Sequence, residues 1–171
     1  EFWCKLSTLE VFDLWRNTKL FQVDERFVAS REDDNNFQAI RTNLLNYVNL
    51  PKKNVFPIHT DLDNAVVAAQ KYENVMRECF NLQEGFPCFD VIDLGLGLDG
   101  HTASLFPNSK VLDEQNKWVV PASADGVPHE RITLTLPVIN NAQHIVFHVR
   151  GKNKAEMVKR IIDGDKTIPA G

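Results

Sequence analysis

Phe89-Asp90-Val91-Ile92-Asp93-Leu94-Gly95-Leu96-Gly97-Leu98-Asp99-Gly100-His101 is the stretch that decides the fold of this chain. Its first part, from Phe89 to Leu96, is an apolar run that predicts a central strand, and it leads into a glycine-rich turn and a short helical start. Asp93 breaks the apolar pattern, and a buried carboxylate needs a partner. A strand that ends in such a turn is typical of α/β proteins, whose ligands lie beyond the C-terminal ends of parallel strands.

The segments around this stretch alternate between strand and helix. Further strands are predicted at Leu20–Val23, Trp118–Pro121, Ile132–Leu136 and Ile145–Val149, and helices at Phe37–Val48, Ala65–Phe80 and Lys154–Ile162. Asp63 or Asn64 is expected to cap the second helix, and Asn153 with Glu156 has the spacing of a capping box for the last one. This alternation predicts a three-layer α/β fold, in which helices cover both faces of a mainly parallel, Rossmann-like sheet.

The composition indicates the class of protein. A chain of 171 residues, 43% hydrophobic and 25% charged, fits one globular domain over residues 1–171 and excludes a collagen-like or disordered chain. The net charge of −4 gives no cationic field, so no nucleic-acid or membrane partner is expected.

No apolar run reaches the roughly 18 residues of a membrane span, and no signal peptide is evident. Cys4, Cys79 and Cys88 lack zinc-site or dithiol spacing, which predicts thiols in a reducing cytoplasm.

The sequence Asp99-Gly100-His101 places an imidazole just past the central strand, at the start of a helix. A histidine there is a candidate general base that takes a proton from water, a role worth roughly 10²–10⁴-fold in rate. The alternative is a loop histidine with only a structural hydrogen bond. Spacing alone does not separate these two roles.

Other charged residues fall at the ends of predicted elements. Asp24-Glu25-Arg26 follows the first predicted strand, where a guanidinium could clamp a phosphate or polarise a carbonyl and a carboxylate could orient a histidine. The alternative is a solvated cluster of ion pairs. Arg131 and Lys154 are cations at the edges of later elements, and each taken singly reads as a surface charge. No residue spacing in the chain predicts a metal or a cofactor.

Four blocks of sequence, read in order, resemble the 6-phosphogluconolactonase family. They are Leu20-Phe21-Gln22-Val23-Asp24-Glu25-Arg26-Phe27-Val28, Leu94-Gly95-Leu96-Gly97-Leu98-Asp99-Gly100-His101-Thr102-Ala103-Ser104-Leu105-Phe106-Pro107, Glu130-Arg131-Ile132-Thr133-Leu134-Thr135-Leu136-Pro137 and Gly151-Lys152-Asn153-Lys154-Ala155. Each block alone is modest evidence. Their order and spacing through nearly the whole chain make the resemblance specific for the family.

This resemblance implies an activity and a set of catalytic residues. The family hydrolyses 6-phospho-D-glucono-1,5-lactone to 6-phosphogluconate without a metal or cofactor, so a small sugar-phosphate lactone is the implied partner. His101 becomes the implied base that activates water, while Asp99 and Asp24 shape and orient the site. Arg26 is implied to face the lactone and its developing oxyanion.

The resemblance also implies a phosphate site and shows where the chain departs from the family. Arg131 and Lys154 are implied to hold the substrate phosphate. The family begins with a strand and a glycine-rich phosphate loop, whereas this chain starts at Glu1-Phe2-Trp3, and a C-terminal strand and helix are also expected beyond its end. We therefore expect a domain incomplete at both ends, with a non-catalytic sugar-phosphate-binding fragment as one alternative.

The glucosamine-6-phosphate isomerases are a second alternative, because they share the architecture and the Asp-Gly-His turn. They carry a tyrosine where Arg26 stands, and their histidine is followed by a Phe-Asn-Glu-Pro-like stretch whose glutamate takes part in ring opening. Ser104-Leu105-Phe106-Pro107 offers no such carboxylate, which favours lactone hydrolysis. Asp93 and Leu98 depart from the aliphatic residue and the proline that are usual in the family's central motif.

Overall fold

A computed structural model describes residues 14–171 of the chain. Its strands are β1 (Leu20–Phe21), β2 (Asp24–Arg26), β3 (Val55–Phe56), β4 (Val91–Gly95), β5 (Val119–Ala122), β6 (Arg131–Leu134) and β7 (His144–His148). Its α-helices are α1 (Leu14–Asn17), α2 (Asn36–Ile40), α3 (Ala65–Phe80), α4 (Leu136–Asn140) and α5 (Ala155–Ile162). A π-helical turn at Arg41–Leu45 prolongs α2, and 3₁₀ turns lie at Lys52–Asn54, Lys110–Asp113 and Lys152–Lys154.

The strands pair in both directions. β4 lies parallel to β7 and β1 parallel to β3, whereas β6 lies antiparallel between β2 and β5. Parallel strand pairs accompanied by helices confirm the predicted α/β class. The antiparallel unit was not predicted, because the alternation of strands and helices does not specify the direction in which each strand runs.

The charged triplet lies differently from its predicted position. Asp24-Glu25-Arg26 is not a loop beyond the end of the first strand. It forms a strand of its own, β2, which pairs with β6. The break between β1 and β2 falls at Gln22, whose backbone N–H donates to the Tyr72 hydroxyl at 2.8 Å while that hydroxyl donates to the Gln22 carbonyl at 2.9 Å. Because a side chain on α3 occupies both backbone groups, the ladder stops and a new strand begins.

The structure confirms the predicted bounds of helix α3 and its predicted cap at Asn64. The side chain of Asn64 accepts a hydrogen bond from the backbone N–H of Val67 at 2.9 Å, and Asn81, in the left-handed conformation with φ +50°, ends the helix. The buried face of α3 packs against β5 and β6. One apolar core therefore joins α3 to β4, β5, β6 and α4.

Two other helix predictions need correction. The predicted Phe37–Val48 helix ends earlier, at Leu45, where the π-helical turn closes with a 3.1 Å bond from the Asn46 N–H to the Arg41 carbonyl. The predicted capping box at Asn153 is wrong. A 3₁₀ turn takes up that residue, and Lys154, which makes no side-chain capping bond, stands before α5 instead.

Two observations concern the state of the cysteines and the apolar character of the helices. Cys79 and Cys88 are free thiols, half-buried and exposed respectively, whereas Cys4 lies outside the described residues. Among residues 14–171, no helix has the length and apolar character needed to cross a membrane.

Candidate active site

The glycine-rich turn brings the end of β4 back on itself. The Gly97 N–H donates to the His101 carbonyl at 2.8 Å, and a Cβ at Gly97 would collide with the side chains of Asp99 and His101. Gly100 has φ +85°, a conformation that favours glycine, and its missing side chain leaves space for Ile168. Both glycines are therefore required to bring the Asp99 carboxylate and the His101 imidazole together.

Asp99 is the carboxylate partner of His101. Its Oδ1 lies 2.6 Å from Nδ1 of the imidazole and also accepts the His101 backbone N–H at 3.1 Å. Partial burial opposes ionisation of Asp99, but these two bonds and the nearby imidazole outweigh it and hold the pKa of Asp99 below its usual range. With Nδ1 bound to the carboxylate, Nε2 is the nitrogen that can accept a proton.

Asp24 belongs to the same cluster but has a different partner. Its Oδ2 accepts a 2.7 Å hydrogen bond from the Ser104 hydroxyl. Burial raises the pKa of Asp24, although the Ser104 bond and the charges of Arg26, Arg131 and His101 oppose the rise. Arg26, Arg131 and the His101 imidazole therefore lie close enough to Asp24 to interact electrostatically with it, while the imidazole itself is oriented by Asp99.

Arg26 and Arg131 lie side by side on neighbouring strands. They are directly paired in the antiparallel ladder of β2 and β6, so their side chains extend from the same face. Burial, followed by repulsion from Arg26, lowers the pKa of Arg131, although three carboxylates oppose that change. The Nε of Arg131 is buried without a hydrogen-bond partner in the described part of the chain. Two adjacent guanidiniums of this kind favour an anionic ligand.

Lys154 approaches the site from the other side of the glycine turn. It lies at the start of α5, and its Nζ donates to the Leu96 carbonyl within that turn. Of the six residues selected from the sequence, five thus form one electrostatic cluster, and Lys154 borders it through the turn.

A cleft of about 160 Å³ connects these elements. Its walls come from β2, the end of β4, the turn and the start of α2, and the lining residues are Val23, Asp24, Arg26, Asn36, Asp93, Leu94, Gly95, His101 and Ala103. Two carboxylates, a guanidinium and an imidazole therefore line one small volume. The cleft lies at the C-terminal end of β4, where ligands bind in α/β folds.

Comparison with known proteins identifies the family of the chain. The sequence profile of the glucosamine-6-phosphate isomerases/6-phosphogluconolactonase family matches residues 6–171. The chain belongs to this family. It is 39% identical over 163 residues to 6-phosphogluconolactonase 3, chloroplastic, of Arabidopsis thaliana, which covers 91% of this chain and 50% of that relative. It is also 38% identical over 148 residues to a 6-phosphogluconolactonase of a Synechocystis strain, which covers 86% of this chain and 61% of that relative.

Solved structures support the same family and fold. The crystal structure of a 6-phosphogluconolactonase from Thermotoga maritima matches with a TM-score of 0.84 and 30% identity, over 98% of this chain and 72% of that one. The three-layer α/β class predicted from the sequence is thereby confirmed. The chain spans about half to three fifths of the length of the two curated relatives.

Three residues of this candidate site were missed as site residues by sequence reasoning. Ser104 binds Asp24, and Glu25 is a buried carboxylate that accepts four N–H groups. Asp93 lines the cleft and contacts His148 of β7 through its Oδ1. Asp93 gave a sequence signal, since it interrupts an apolar strand and needs a partner, and Glu25 lies in the charged triplet Asp24-Glu25-Arg26. Within residues 14–171, no three His, Cys, Asp or Glu side chains group in a way that could hold a metal ion.

Proposed function

We propose that this chain carries a 6-phosphogluconolactonase site and hydrolyses 6-phospho-D-glucono-1,5-lactone to 6-phosphogluconate. The observation that carries the proposal is that the Asp99-bound imidazole of His101 opens into the cleft that Arg26 lines. A general base beside a fixed cation is what ester hydrolysis by water requires. The named relatives at 38–39% identity support the same activity.

In the proposed reaction, Nε2 of His101 takes a proton from water while the water oxygen bonds to the lactone carbonyl carbon. Asp99 holds the imidazole by Nδ1 and stabilises its positive charge. The carbonyl oxygen becomes an oxyanion beside Arg26, with Asp24 limiting the excess of positive charge there. The bond to the ring oxygen then breaks, and that oxygen receives the proton from His101.

The substrate phosphate is proposed to bind the cations that surround the turn. Arg131 is buried, has an Nε with no protein partner among residues 14–171, and stands next to Arg26. Lys154 already donates to the Leu96 carbonyl, so its ammonium faces the turn. An anion between these groups would relieve the repulsion of two adjacent guanidiniums.

The decisive experiment is hydrolysis of freshly generated lactone by this chain, with the spontaneous rate subtracted. His101→Ala should lower the catalysed rate by roughly 10²–10⁴-fold, because the base is lost, and should leave the binding of 6-phosphogluconate intact. His59→Ala is the matched control, since His59 is exposed and does not line the cleft.

Each outcome has a distinct meaning. An unchanged rate in His101→Ala would exclude the imidazole as the base. Saturable binding of 6-phosphogluconate without any acceleration, by a chain that is folded, would instead identify a non-catalytic sugar-phosphate-binding fragment.

A further inference from the structure

Asp93 and His148 form a second Asp–His pair at the candidate cleft. Asp93 lies in β4, and its Oδ1 contacts Nδ1 of His148 in β7. The parallel register places His148 directly beside Gly95, the first residue of the turn that carries His101. Since Asp93 lines the cleft together with Asp24 and His101, the pair extends the cleft's polar wall along the two strands.

Strand packing does not explain this polar pair. Asp93 is registered against Val146, and its neighbour two residues back on the same face is Val91. Both valines are exposed, so this face of the two strands is not a packed core. Burial raises the pKa of Asp93, and His148 opposes that rise. Replacing an ion pair that is partly removed from water with apolar side chains of similar volume is often neutral or stabilising. Stability alone therefore does not account for the pair, and the position of Asp93 at the wall of the cleft points to a role in binding.

The exposure of both side chains fits contact with a ligand. The Asp93 side chain is 24% exposed and that of His148 is 37% exposed. The contact with His148 uses only one of about four lone-pair positions of the carboxylate. A carboxylate held in this way accepts hydrogen bonds from the hydroxyl groups of a ligand. The cations and the His101 imidazole of the cleft are less suited to bind those hydroxyl groups.

We propose that Asp93 binds a hydroxyl group of the sugar and that His148 is the positioning residue that fixes its carboxylate. The proposal rests on the proposed function, because the hydroxyl groups belong to a sugar-phosphate lactone. It adds a sugar-recognition element to a site whose other residues act on the carbonyl and the phosphate.

The test separates binding from packing with three variants: Asp93→Leu, His148→Leu and the double variant. Each single variant removes the contact between Asp93 and His148 and leaves the other, partly buried side chain without it, so its urea unfolding midpoint should fall, and the double variant should regain the midpoint. The KM for the lactone should rise about tenfold in Asp93→Leu and stay raised in the double variant, with kcat little changed. The affinity for inorganic phosphate should not change in any variant.

The matched control is Asp90→Leu on the same pair of strands. Asp90 precedes β4 at the end away from the cleft, where its carboxylate accepts a 3.3 Å bond from Gln143, which precedes β7. This variant should keep the unaltered KM.

A double variant that regains both stability and KM would overturn the inference and leave the pair a packing feature. A chain that binds neither the lactone nor 6-phosphogluconate would refute the proposed function and this inference together. A chain that hydrolyses the lactone with the same KM in every variant would refute the inference alone.

Discussion

Replacing Glu25 by glutamine should destabilise the chain, because its carboxylate joins β2 to the start of α2. Oε1 accepts the backbone N–H groups of Arg26 at 2.8 Å and Asn36 at 2.6 Å, while Oε2 accepts Gln22 Nε2 at 2.7 Å and the Phe37 N–H at 2.8 Å. Glutamine offers only one oxygen. Whichever way its amide is oriented, two of the four donors then face an NH₂ group instead of an acceptor.

The size of the effect follows from this count of donors. A buried donor that loses its acceptor costs about 1–3 kcal/mol, so two of them cost about 2–6 kcal/mol. Burial raises the pKa of Glu25, against the opposing hydrogen bonds, so removing its charge returns part of that free energy. We expect a net loss of about 2–4 kcal/mol from a typical free energy of unfolding of about 5–15 kcal/mol.

Urea unfolding is the appropriate measurement. With an m-value of about 2 kcal/mol/M, the midpoint of Glu25→Gln should fall by about 1–2 M. The amide hydrogens of Asn36 and Phe37 should also exchange faster, because they lose their acceptor. Glu32→Gln is the control, since exposed Glu32 accepts one long 3.3 Å bond from Ala29 and should change stability by less than about 0.5 kcal/mol. Equal midpoints for the two variants would refute the reasoning.

Three further predictions concern the charges of the cleft. Asp99→Asn should lower kcat for the lactone by about ten- to a hundredfold, because the amide no longer stabilises the charged imidazole, and an unchanged kcat would contradict this orienting role. Burial raises the pKa of Asp24 above the ordinary value of about 3.9 that it has in the unfolded chain. Between the ordinary and the raised pKa the folded chain binds more protons than the unfolded chain, so the free energy of unfolding falls as pH rises from one to the other. Asp24→Asn should reduce the slope of the unfolding free energy against pH over this range. Equal slopes in the variant and the unaltered chain would contradict the raised pKa of Asp24. Inorganic phosphate should raise the Tm of the unaltered chain, and Arg131→Gln should lose most of this shift; an equal shift in both would show that phosphate binds elsewhere.

The sequence predicted well those features whose cause is local. Helix α3 follows from apolar residues at three- and four-residue spacing and from the cap at Asn64. The turn after β4 follows from Gly97, where a Cβ would collide with the side chains of Asp99 and His101. In each case the interacting residues are close together in the chain, so their types and spacing contain the information.

Predictions failed where the spacing of nearby residues does not decide the backbone. The Tyr72 hydroxyl on α3 ends β1 at Gln22, which no pattern near Gln22 indicates. The capping box at Asn153 failed because a 3₁₀ turn takes up the residue that spacing alone makes a cap.

The sequence by itself determined the α/β class and the position of the strand that leads into the glycine-rich turn, because these depend on periodicity and on glycine spacing. The structure was needed to show that Asp99, and not Asp24, pairs with His101. Only the tertiary structure decided that Asp24 binds Ser104, that Arg26 stands beside Arg131 and that Asp93 contacts a histidine of β7. These contacts depend on the direction and register of paired strands. A period of two along a strand shows which face a side chain occupies, but not which strand lies beside it.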